Sequence, residues 1–546
     1  MVRSRVTGWL VGTLVFLVAL GGLGLAAFDR VWQPSPHFHF VDLAESFMQG
    51  RLDTVTPKRS KGKPVLPDDP PGLQEAIDRQ IASGGWNDWV SYYEAVLQTG
   101  EQFKGVWPWA AKKKGESGFE WKDRFVTLSG DWVEFDRNRD IKRVCHPRPM
   151  AGEEPLAVTS WDARDRFDAE NGACLAEAGN TGTARNCGTG MTRTTCLNRR
   201  HFVSFPPFPA VAMLPFVALF HYHFNDVLFT LVLAALNSVL LFLLFRSLRE
   251  RGYITRSNRE LLVLVFLFTF GTVNFFSSIR GEVWFTALVV GLTMHLLYLI
   301  FATDLRSPFL AGLCLALGFA TRTPLAFAAS YFGLQWLLQK QPWNRTGIFL
   351  RVKQAALFAL PCIAVGVALM FYNLARFDNP FEFGHKFLAD GTRPSIVDHG
   401  MFSFWFLPRN LAAALSNVPQ FLPHYPYVKI TGHGLSLLAT TPVFFYLLWP
   451  RKEHVDTVSR DRFHWSLHTI AWVSVACTAA PGLLYQNTGW LQFGYRFALD
   501  YMPLLFLLLA LDERKRGWLF HSLVVLSFLV NLFGAVTFGR FPQFYN

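Results

Sequence analysis

Charged residues are scarce in this chain. Asp, Glu, Lys and Arg make up 17% of its 546 residues, whereas hydrophobic residues make up 51% and aromatic residues 16%. A soluble protein of this length carries more charge, at about 25% of its residues. The composition therefore excludes an ordinary soluble globular protein and is typical of a protein embedded in a membrane.

A Cys-x-x-Cys motif is also missing, although the chain has seven cysteines. Three cysteines lie within apolar stretches, and the other four lie in the polar segment 30–200. The apolar three are Cys314, Cys362 and Cys477, and the polar four are Cys145, Cys174, Cys187 and Cys196. The spacing of the four is unlike that of a zinc finger, so two disulfides are favoured over the alternative of a zinc site. Disulfides predict an oxidising compartment for this segment.

A cleavage site is absent after the first apolar stretch, residues 9–28, which follows Arg3 and Arg5. The stretch resembles a signal peptide in its basic start. However, its apolar core exceeds the roughly 7–15 residues of a signal-peptide core, and no clean small-x-small site follows Gly24. We therefore predict an uncleaved first transmembrane helix at residues 1–28, with the N-terminus in the cytoplasm.

Long apolar stretches are missing from residues 30–200 but recur between residues 201 and 546. A membrane-spanning helix needs about 20 mostly apolar residues. The predicted spans are residues 8–28, 226–246, 261–279, 282–302, 308–321, 324–339, 355–375, 433–450, 465–485, 497–511 and 517–537. The sequence thus predicts an α-helical polytopic membrane protein with about eleven transmembrane helices.

The net charge of +12 arises largely from basic clusters between predicted spans. These clusters are Arg246, Arg249, Arg251, Arg256 and Arg259; Lys340, Arg345, Arg351 and Lys353; Arg451, Lys452, Arg460 and Arg462; and Arg514, Lys515 and Arg516. Basic residues concentrate in cytoplasmic loops. The charge therefore indicates membrane topology rather than nucleic-acid binding, and it places residues 29–200 in the periplasm or a lumen and the C-terminus outside.

The extracytoplasmic loop, residues 29–200, has a mixed pattern. Its first part, 34–53, is predicted to be helical because Leu43, Ala44, Phe47 and Met48 recur at helical spacing before Gly50. Residues 58–71 form a predicted linker, and alternating aromatic segments between 88 and 136 predict a small antiparallel sheet or barrel. Residues 150–200 are expected to be disulfide-tied loop, which makes 58–200 a β-rich insert.

The proline-rich segment 205–220 is predicted to be an interfacial helix. Pro206, Pro207 and Pro209 crowd its start. It opens the multi-span transmembrane domain, residues 201–546.

Five segments of the chain resemble sequence motifs of the GT-C glycosyltransferases and occur in the same order. The nearest group is the bacterial dolichyl-phosphate-mannose-protein mannosyltransferase and aminoarabinose transferase superfamily, which includes glycosyltransferase family 39. The segments are FVDLAESFMQGRL at 40–52, FPPFPA at 205–210, ATRTP at 320–324, YNLARFDNPFEFG at 372–384 and QFGYRF at 492–497. The resemblance covers roughly residues 1–55 and 200–510 and leaves out the insert.

The resemblance implies an enzyme of the bacterial inner membrane. Such enzymes move a sugar from a polyprenyl-phosphate carrier to a lipid, glycan or protein acceptor of the cell envelope, at the periplasmic face. The polyprenyl-phosphate sugar is then the donor substrate, membrane lipid is a partner, and the resemblance leaves metal dependence open. The reaction needs a base for the acceptor hydroxyl and cations for the phosphate of the leaving group.

The carboxylate that the family usually carries before the position of Asp42 is absent, and Pro36 and His37 stand in its place. Asp42 is our candidate base, with His37 as the alternative. His39, Asp42 and Glu45 are three residues apart, so they would share one helix face. The competing interpretation is that this face is only the wet side of an interfacial helix.

Three arginines at predicted span ends, Arg280, Arg322 and Arg496, are candidate ligands for the lipid phosphate. Charged residues at membrane depth are costly and usually functional, although interfacial anchors are an alternative. The candidate substrate-binding residues are Glu282, Glu382, His385, Lys386 and Tyr495, and a solvated loop is the alternative for Glu382, His385 and Lys386. We expect the arginines to converge with Asp42 or His37 on one outer-leaflet cavity.

Two other function classes compete with an enzyme. A transporter or flippase of lipid-linked sugars typically shows inverted repeats and broken helices at mid-depth, and the sequence shows no such symmetry. A non-catalytic membrane scaffold would explain the missing carboxylate but not the three arginines at span ends.

Overall fold

The computed structural model describes residues 2–54, 69–83, 89–97, 101–106, 109–111, 119–121, 124–134, 194–388, 394–448 and 461–545. The chain divides into two compact units. The first contains Met1–Ser35, Asn225–Val367 and His399–Asn546, and the second contains Pro36–Phe224 and Ala368–Asp398. The second unit therefore combines most of the predicted extracytoplasmic loop with residues 201–224 and 368–398, which the sequence assigned to the multi-span domain.

Six described helices are long and apolar enough to cross a membrane. They are Trp9–Trp32, Asp226–Glu250, Val283–Leu305, Arg345–Phe377, Leu467–Leu484 and Trp518–Thr537. Three shorter apolar helices are Phe208–His223, Pro308–Phe319 and Met502–Leu511. These helices confirm a helical membrane protein. By length and composition, six described helices qualify as membrane spans, fewer than the predicted count of about eleven.

Two predicted spans are interrupted in the structure. The stretch 261–279 forms helix Asn258–Phe270 and then the short helix Asn274–Ser278, with a break at Gly271. The described part of the stretch 433–450, residues 433–448, contains three helical pieces, Leu437–Thr440, Pro442–Phe444 and Phe445–Leu448. The prolines and glycines within these apolar stretches interrupt the helical hydrogen-bond ladder, which hydropathy alone does not register.

The remaining helices of the first unit are Asn258–Phe270, with a capping box of Ser257 and Glu260, then Ala329–Leu338 and Leu407–Leu415. Ala329–Leu338 lies within the predicted span 324–339, whereas Leu407–Leu415 was not predicted. Short 3₁₀ helices at Thr323–Ala328 and Arg496–Asp500 lead into helices Ala329–Leu338 and Met502–Leu511.

Helix Val283–Ala302 lies at the centre of the first unit and packs against helices Asp226–Glu250 and Pro308–Phe319. Buried hydroxyl and amide groups join these helices within an otherwise apolar core. Thr230 and Thr286 share a hydrogen bond of 2.7 Å, and Asn237 donates to the Val289 carbonyl at 3.1 Å. Such polar contacts fix the register between helices that have similar apolar surfaces.

The second unit contains four described helices and a sheet. The helices are His39–Met48, Leu73–Ser83, Phe208–Phe220 and Pro394–His399. Helix His39–Met48 is shorter than the predicted 34–53 but ends as expected, with Gly50 in the left-handed conformation at φ 67°. Helix Phe208–Phe220 begins where Pro207 and Pro209 preset the first turn.

The predicted antiparallel sheet is confirmed, and its five described strands are β1 Trp89–Leu97, β2 Gln102–Val106, β5 Arg124–Thr127, β6 Trp132–Glu134 and β7 Thr194–Val203. Their order in the sheet is β6–β5–β2–β1–β7. A separate hairpin pairs β3 Trp109–Ala111 with β4 Phe119–Trp121, and in the first unit β8 Gln420–Phe421 pairs with β9 Val428–Lys429.

Strand β7 corrects the last part of the predicted disulfide-tied loop, residues 194–200, because residues 194–203 pair with β1 along nearly its whole length. The β-branched and aromatic residues at the end of this stretch are typical of a strand. Val90 and Tyr92 of β1 pack with Phe202 of β7 and with Phe377 in the core of this unit.

Several predictions fall outside the described residues. These are the linker over 58–68, the loop over 150–193, the side chains of the four polar-segment cysteines, and Arg451, Lys452 and Arg460 of the third basic cluster. The other three cysteines, Cys314, Cys362 and Cys477, are free thiols.

Candidate functional site

Asp42 is completely buried in the second unit, and both oxygens of its carboxylate accept hydrogen bonds. The Tyr222 hydroxyl donates to Oδ1 at 2.6 Å, and the Trp89 indole Nε1 donates to Oδ2 at 3.0 Å. Two donors compensate for the loss of water around a carboxylate. We call Asp42, Glu45, Trp89, His221 and Tyr222 the carboxylate cluster.

Trp89 also contacts His39, whose ring stacks on the indole with the centroids 3.8 Å apart. Burial lowers the pKa of His39 to about 3, and the charge of His37 contributes in the same direction. His39 is therefore neutral at physiological pH. The ring of His37, which is also buried, lies 6.3 Å from the ring of His39.

Glu45 is buried and contacts His221, the residue of the cluster that reaches solvent. Its Oε2 lies 3.1 Å from His221 Nδ1, and its Oε1 accepts from Gln49 at 3.3 Å. The Glu45 side chain is 5% exposed, but that of His221 is 35% exposed. An ionised carboxylate only accepts hydrogen bonds, so Nδ1 of His221 carries the proton in this contact.

The alternative interpretation, in which His39, Asp42 and Glu45 form the solvent-exposed side of an interfacial helix, is wrong. His39 and Asp42 have no exposed surface, and Glu45 is 4% exposed. Their neighbours Phe40 and Leu43 on the other side are buried as well. A helix buried on all sides, with polar residues inside, needs partners for those groups. Here Trp89 and Tyr222 donate to Asp42, and His221 contacts Glu45.

In the first unit, the three predicted arginines lie together around two phenylalanine rings. The Cζ atoms of Arg280 and Arg496 lie 5.1 and 5.0 Å from the centre of the Phe285 ring. The Cζ atoms of Arg322 and Arg496 lie 5.4 and 6.0 Å from the centre of the Phe497 ring. Arg496 is thus linked to both other arginines through a shared aromatic ring, within the range of cation–π attraction. We call these five residues the arginine cluster.

Arg280 is held by Glu282, which the sequence assigned to substrate binding. Arg280 Nη2 lies 2.6 Å from Glu282 Oε1, and Nε lies 3.0 Å from Oε2. Between them, Gly281 adopts φ 77°, and a Cβ there would lie 2.8 Å from the Val227 backbone. Glycine therefore permits the turn that brings the two side chains together. Arg280 Nη1 also donates to the Phe538 carbonyl at 3.0 Å, as does Arg30.

Arg322 forms an ion pair with Asp500, a residue that the sequence analysis missed. Nε and Nη2 donate to the two carboxylate oxygens at 2.6 and 2.7 Å. Asp500 also affects Tyr495, a candidate substrate ligand. Burial raises the pKa of Tyr495, and the Asp500 charge raises it further. Tyr495 is 1% exposed, so its phenol belongs to the interior of the unit.

The remaining substrate-binding candidates lie in the second unit. Glu382 Oε1 accepts from the backbone N–H of Gly384 at 2.7 Å. Burial lowers the pKa of the nearby His385, and the charge of Glu382 opposes this effect. The side chain of Lys386 lies outside the described residues.

The structure brings the arginines together with each other, and Asp42 together with Glu45. Their convergence on one cavity stays a prediction, because Asp42 and His37 belong to one unit and the arginines to the other. Trp89, His221, Tyr222 and Asp500 were missed because they are distant in sequence from the residues they bind. One signal was present, the His-Tyr-His run at 221–223 directly after a proline-capped apolar helix.

Chemically, the three arginines exceed their two paired carboxylates, Glu282 and Asp500, by one positive charge, so the arginine cluster can bind an anion. The carboxylate cluster can accept a proton. Among the described residues, no group of three or more His, Cys, Asp or Glu side chains is arranged to hold a metal ion. Neither a protein-family model, nor a curated protein, nor a solved structure matches this chain.

Proposed function

We propose that this protein is a membrane glycosyltransferase of the GT-C type. It moves a sugar from a polyprenyl-phosphate carrier to a lipid, glycan or protein acceptor at the periplasmic face of a bacterial inner membrane. The resemblance of five ordered segments supports the assignment to this class. The observation that carries the proposal is the arginine cluster, in which Arg496 shares one ring with Arg280 and another with Arg322.

A cluster of guanidinium groups matches the charge that develops in this reaction. The acceptor hydroxyl attacks the anomeric carbon of the sugar, and the bond from that carbon to the phosphate oxygen breaks. The bonding electrons leave with the polyprenyl phosphate, which gains negative charge. Cations fixed in a poorly solvated place stabilise this charge more strongly than cations in water.

The acceptor hydroxyl must also lose its proton, and a carboxylate is a suitable base. Asp42 remains our first candidate, because Tyr222 and Trp89 fix both of its oxygens. Glu45 is the second, since its partner His221 reaches solvent. The proton taken by the base is returned to solvent or to the released phosphate, so that atoms and charge balance.

The decisive experiment is a transfer assay with purified protein in lipid nanodiscs. Labelled polyprenyl-phosphate sugars and an extract of envelope acceptors are the substrates. We expect transfer by the wild type and a loss of about 10²–10³-fold in Arg496→Gln. Arg496→Lys should rescue only partly, because lysine lacks the planar fork of guanidinium.

Arg246→Gln is the matched control. Arg246 forms an i, i+4 pair with Glu250 whose carboxylate side chain is 63% exposed, and such surface pairs contribute little. Wild-type transfer in this variant and loss in Arg496→Gln would support the proposal. Movement of labelled lipid across the bilayer without transfer would instead support the transporter, and neither activity would support the scaffold.

A further inference from the structure

Arg376 is a fully buried cation at the end of helix Arg345–Phe377, and the proposed reaction does not use it. Its residue is 1% exposed. Nη1 donates to the Val203 carbonyl at 3.1 Å, and Nη2 donates to Asn373 Oδ1 at 2.8 Å. Both acceptors are neutral. A buried charge normally requires an opposite charge, because the loss of water around it costs several kcal/mol.

No carboxylate forms an ion pair with Arg376 in the part of the chain that the structure describes. The charge of Glu382 attracts that of Arg376 at a distance, without an ion-pair contact. One oxygen of that carboxylate already accepts from the Gly384 backbone at 2.7 Å. The positive charge of Arg376 is therefore not neutralised by direct contact.

Two buried hydrogen-bond donors beside this charge lack an acceptor among the described residues. They are Nε of Arg376 and the hydroxyl of Tyr372. The two side chains are in contact, since the Cζ atom of Arg376 lies 3.8 Å from the centre of the Tyr372 ring. Residues 372 and 376 are also four positions apart on one helix, so they lie on the same face. Buried donors without acceptors are rare and costly in folded proteins.

We propose that Arg376 and Tyr372 form a binding site for one phosphate group. A phosphate supplies the negative charge that the guanidinium lacks and oxygen acceptors for both donors. The group comes from a lipid headgroup or from free phosphate, which share this chemistry. The site contains no residue of the arginine cluster, so it does not depend on the proposed transfer reaction.

The test is the thermal unfolding of the full-length protein in a neutral detergent. Inorganic phosphate is titrated against chloride at equal ionic strength, and a short-chain prenyl phosphate and phosphatidylglycerol are titrated in parallel. A ligand that binds only the folded state raises Tm with the logarithm of its concentration. All titrations are carried out in an Arg496→Gln background, which weakens binding by the arginine cluster because it removes the arginine that shares a ring with each of the other two.

In that background we expect phosphate to raise Tm, and Arg376→Met to abolish the rise. Methionine keeps an apolar stem of similar length but removes the charge. Tyr372→Phe removes one hydrogen bond to a charged group, so it should weaken binding by roughly tenfold. If Arg376→Met does not fold, the phosphate response of Tyr372→Phe alone tests the site. If the lipid phosphates act at lower concentration than inorganic phosphate, the natural ligand is a lipid headgroup; the reverse order identifies free phosphate.

Arg351→Met is the matched control at the other end of the same helix. Arg351 is also buried and lies over an aromatic ring, with Cζ 4.2 Å from the Trp343 ring centre. Its Nε also lacks an acceptor, but three backbone carbonyls accept from its other nitrogens. Among the described residues, no hydroxyl without an acceptor lies beside it. Its phosphate response should be unchanged. An unchanged response in both Arg376→Met and Tyr372→Phe, or an equal loss in Arg351→Met, would overturn the proposal.

Discussion

Arg322 and Asp500 form a two-point ion pair, in which Nε and Nη2 of the guanidinium donate to the two carboxylate oxygens at 2.6 and 2.7 Å. The two residues are 178 positions apart in the sequence. Their side chains are only 14% and 5% exposed. The pair therefore joins the turn after helix Pro308–Phe319 to the segment that precedes helix Met502–Leu511.

Asp500→Asn should destabilise the protein by about 3–5 kcal/mol, because it leaves a buried guanidinium without its counter-charge. The double variant Arg322→Met with Asp500→Leu should recover part of this loss, since neither charge remains buried. Thermal unfolding of the two variants and of Arg322→Met in detergent completes a double-mutant cycle. Equal stability of Asp500→Asn and the wild type would show that the pair contributes nothing to the fold.

The general architecture could be predicted from the sequence. Helix Asp226–Glu250 and helix Trp518–Thr537 follow from uninterrupted apolar stretches, and β1 and β2 follow from alternating aromatic residues. The β1–β2 hairpin follows from local patterns, whereas the pairing of β7 with β1 joins residues far apart in the sequence and was not predicted. What hydropathy could not predict were the breaks within the stretches 261–279 and 433–450, because proline and glycine stop helices without reducing the apolar character of a window.

The candidate site was predictable only in part. Arg280, Arg322 and Arg496 stand out because charges are rare near membrane spans, and the structure brings them together. Their carboxylate partners were harder to foresee. Glu282 is adjacent in sequence but looked like a substrate ligand, and Asp500 is far along the chain. Contacts between residues that are far apart in the sequence depend on tertiary packing. They leave no local pattern from which a single sequence could predict them.

His39 should make the second unit sensitive to acid. Burial lowers the pKa of His39 to about 3 in the folded protein, against about 6.5 in the unfolded chain. Between these values the unfolded chain binds the extra proton, so stability falls as the pH decreases. His39 should therefore cost about 2 kcal/mol of stability between pH 7.5 and 5. Above pH 6.5 this effect should vanish.

Unfolding curves at pH 7.5 and pH 5 for the wild type and His39→Gln test this expectation. The decrease in Tm on acidification should be smaller in His39→Gln, even if the variant is less stable at both values. His521→Gln, which changes an exposed histidine, should retain the wild-type decrease. Identical pH dependence in all three proteins would show that His39 is not responsible.

Residues 29–200 are predicted to face the periplasm. The motivation is the concentration of arginine and lysine in the other loops. Alkaline phosphatase, which is active only in the periplasm, should be active when fused after Gly62 and inactive when fused after Arg256. The opposite result would show that the topology is inverted, and it would refute the proposed function, which places the reaction at the periplasmic face.

The four cysteines of this segment are predicted to form two disulfides, in one of three possible pairings. Mass spectrometry of peptides prepared without reduction should detect two cross-linked pairs among Cys145, Cys174, Cys187 and Cys196. Cys314, Cys362 and Cys477 should be recovered as thiols, as in the structure. Four free thiols, or bound zinc, would contradict the disulfide prediction.

The carboxylate cluster allows the base to be identified. Asp42→Asn and Glu45→Gln each remove one carboxylate with little change in volume. The variant that lacks the catalytic base should transfer sugar about 10²–10⁴-fold more slowly than the wild type. If Asp42 is the base, Tyr222→Phe should also slow transfer, because Oδ1 loses its 2.6 Å donor. If Glu45 is the base, His221→Gln should have the larger effect, because His221 Nδ1 contacts Glu45 Oε2. Transfer rates measured at saturating donor separate these patterns, and circular dichroism checks that each variant is folded. Full activity in both Asp42→Asn and Glu45→Gln would exclude this cluster from the chemistry and assign its buried hydrogen bonds to stability alone.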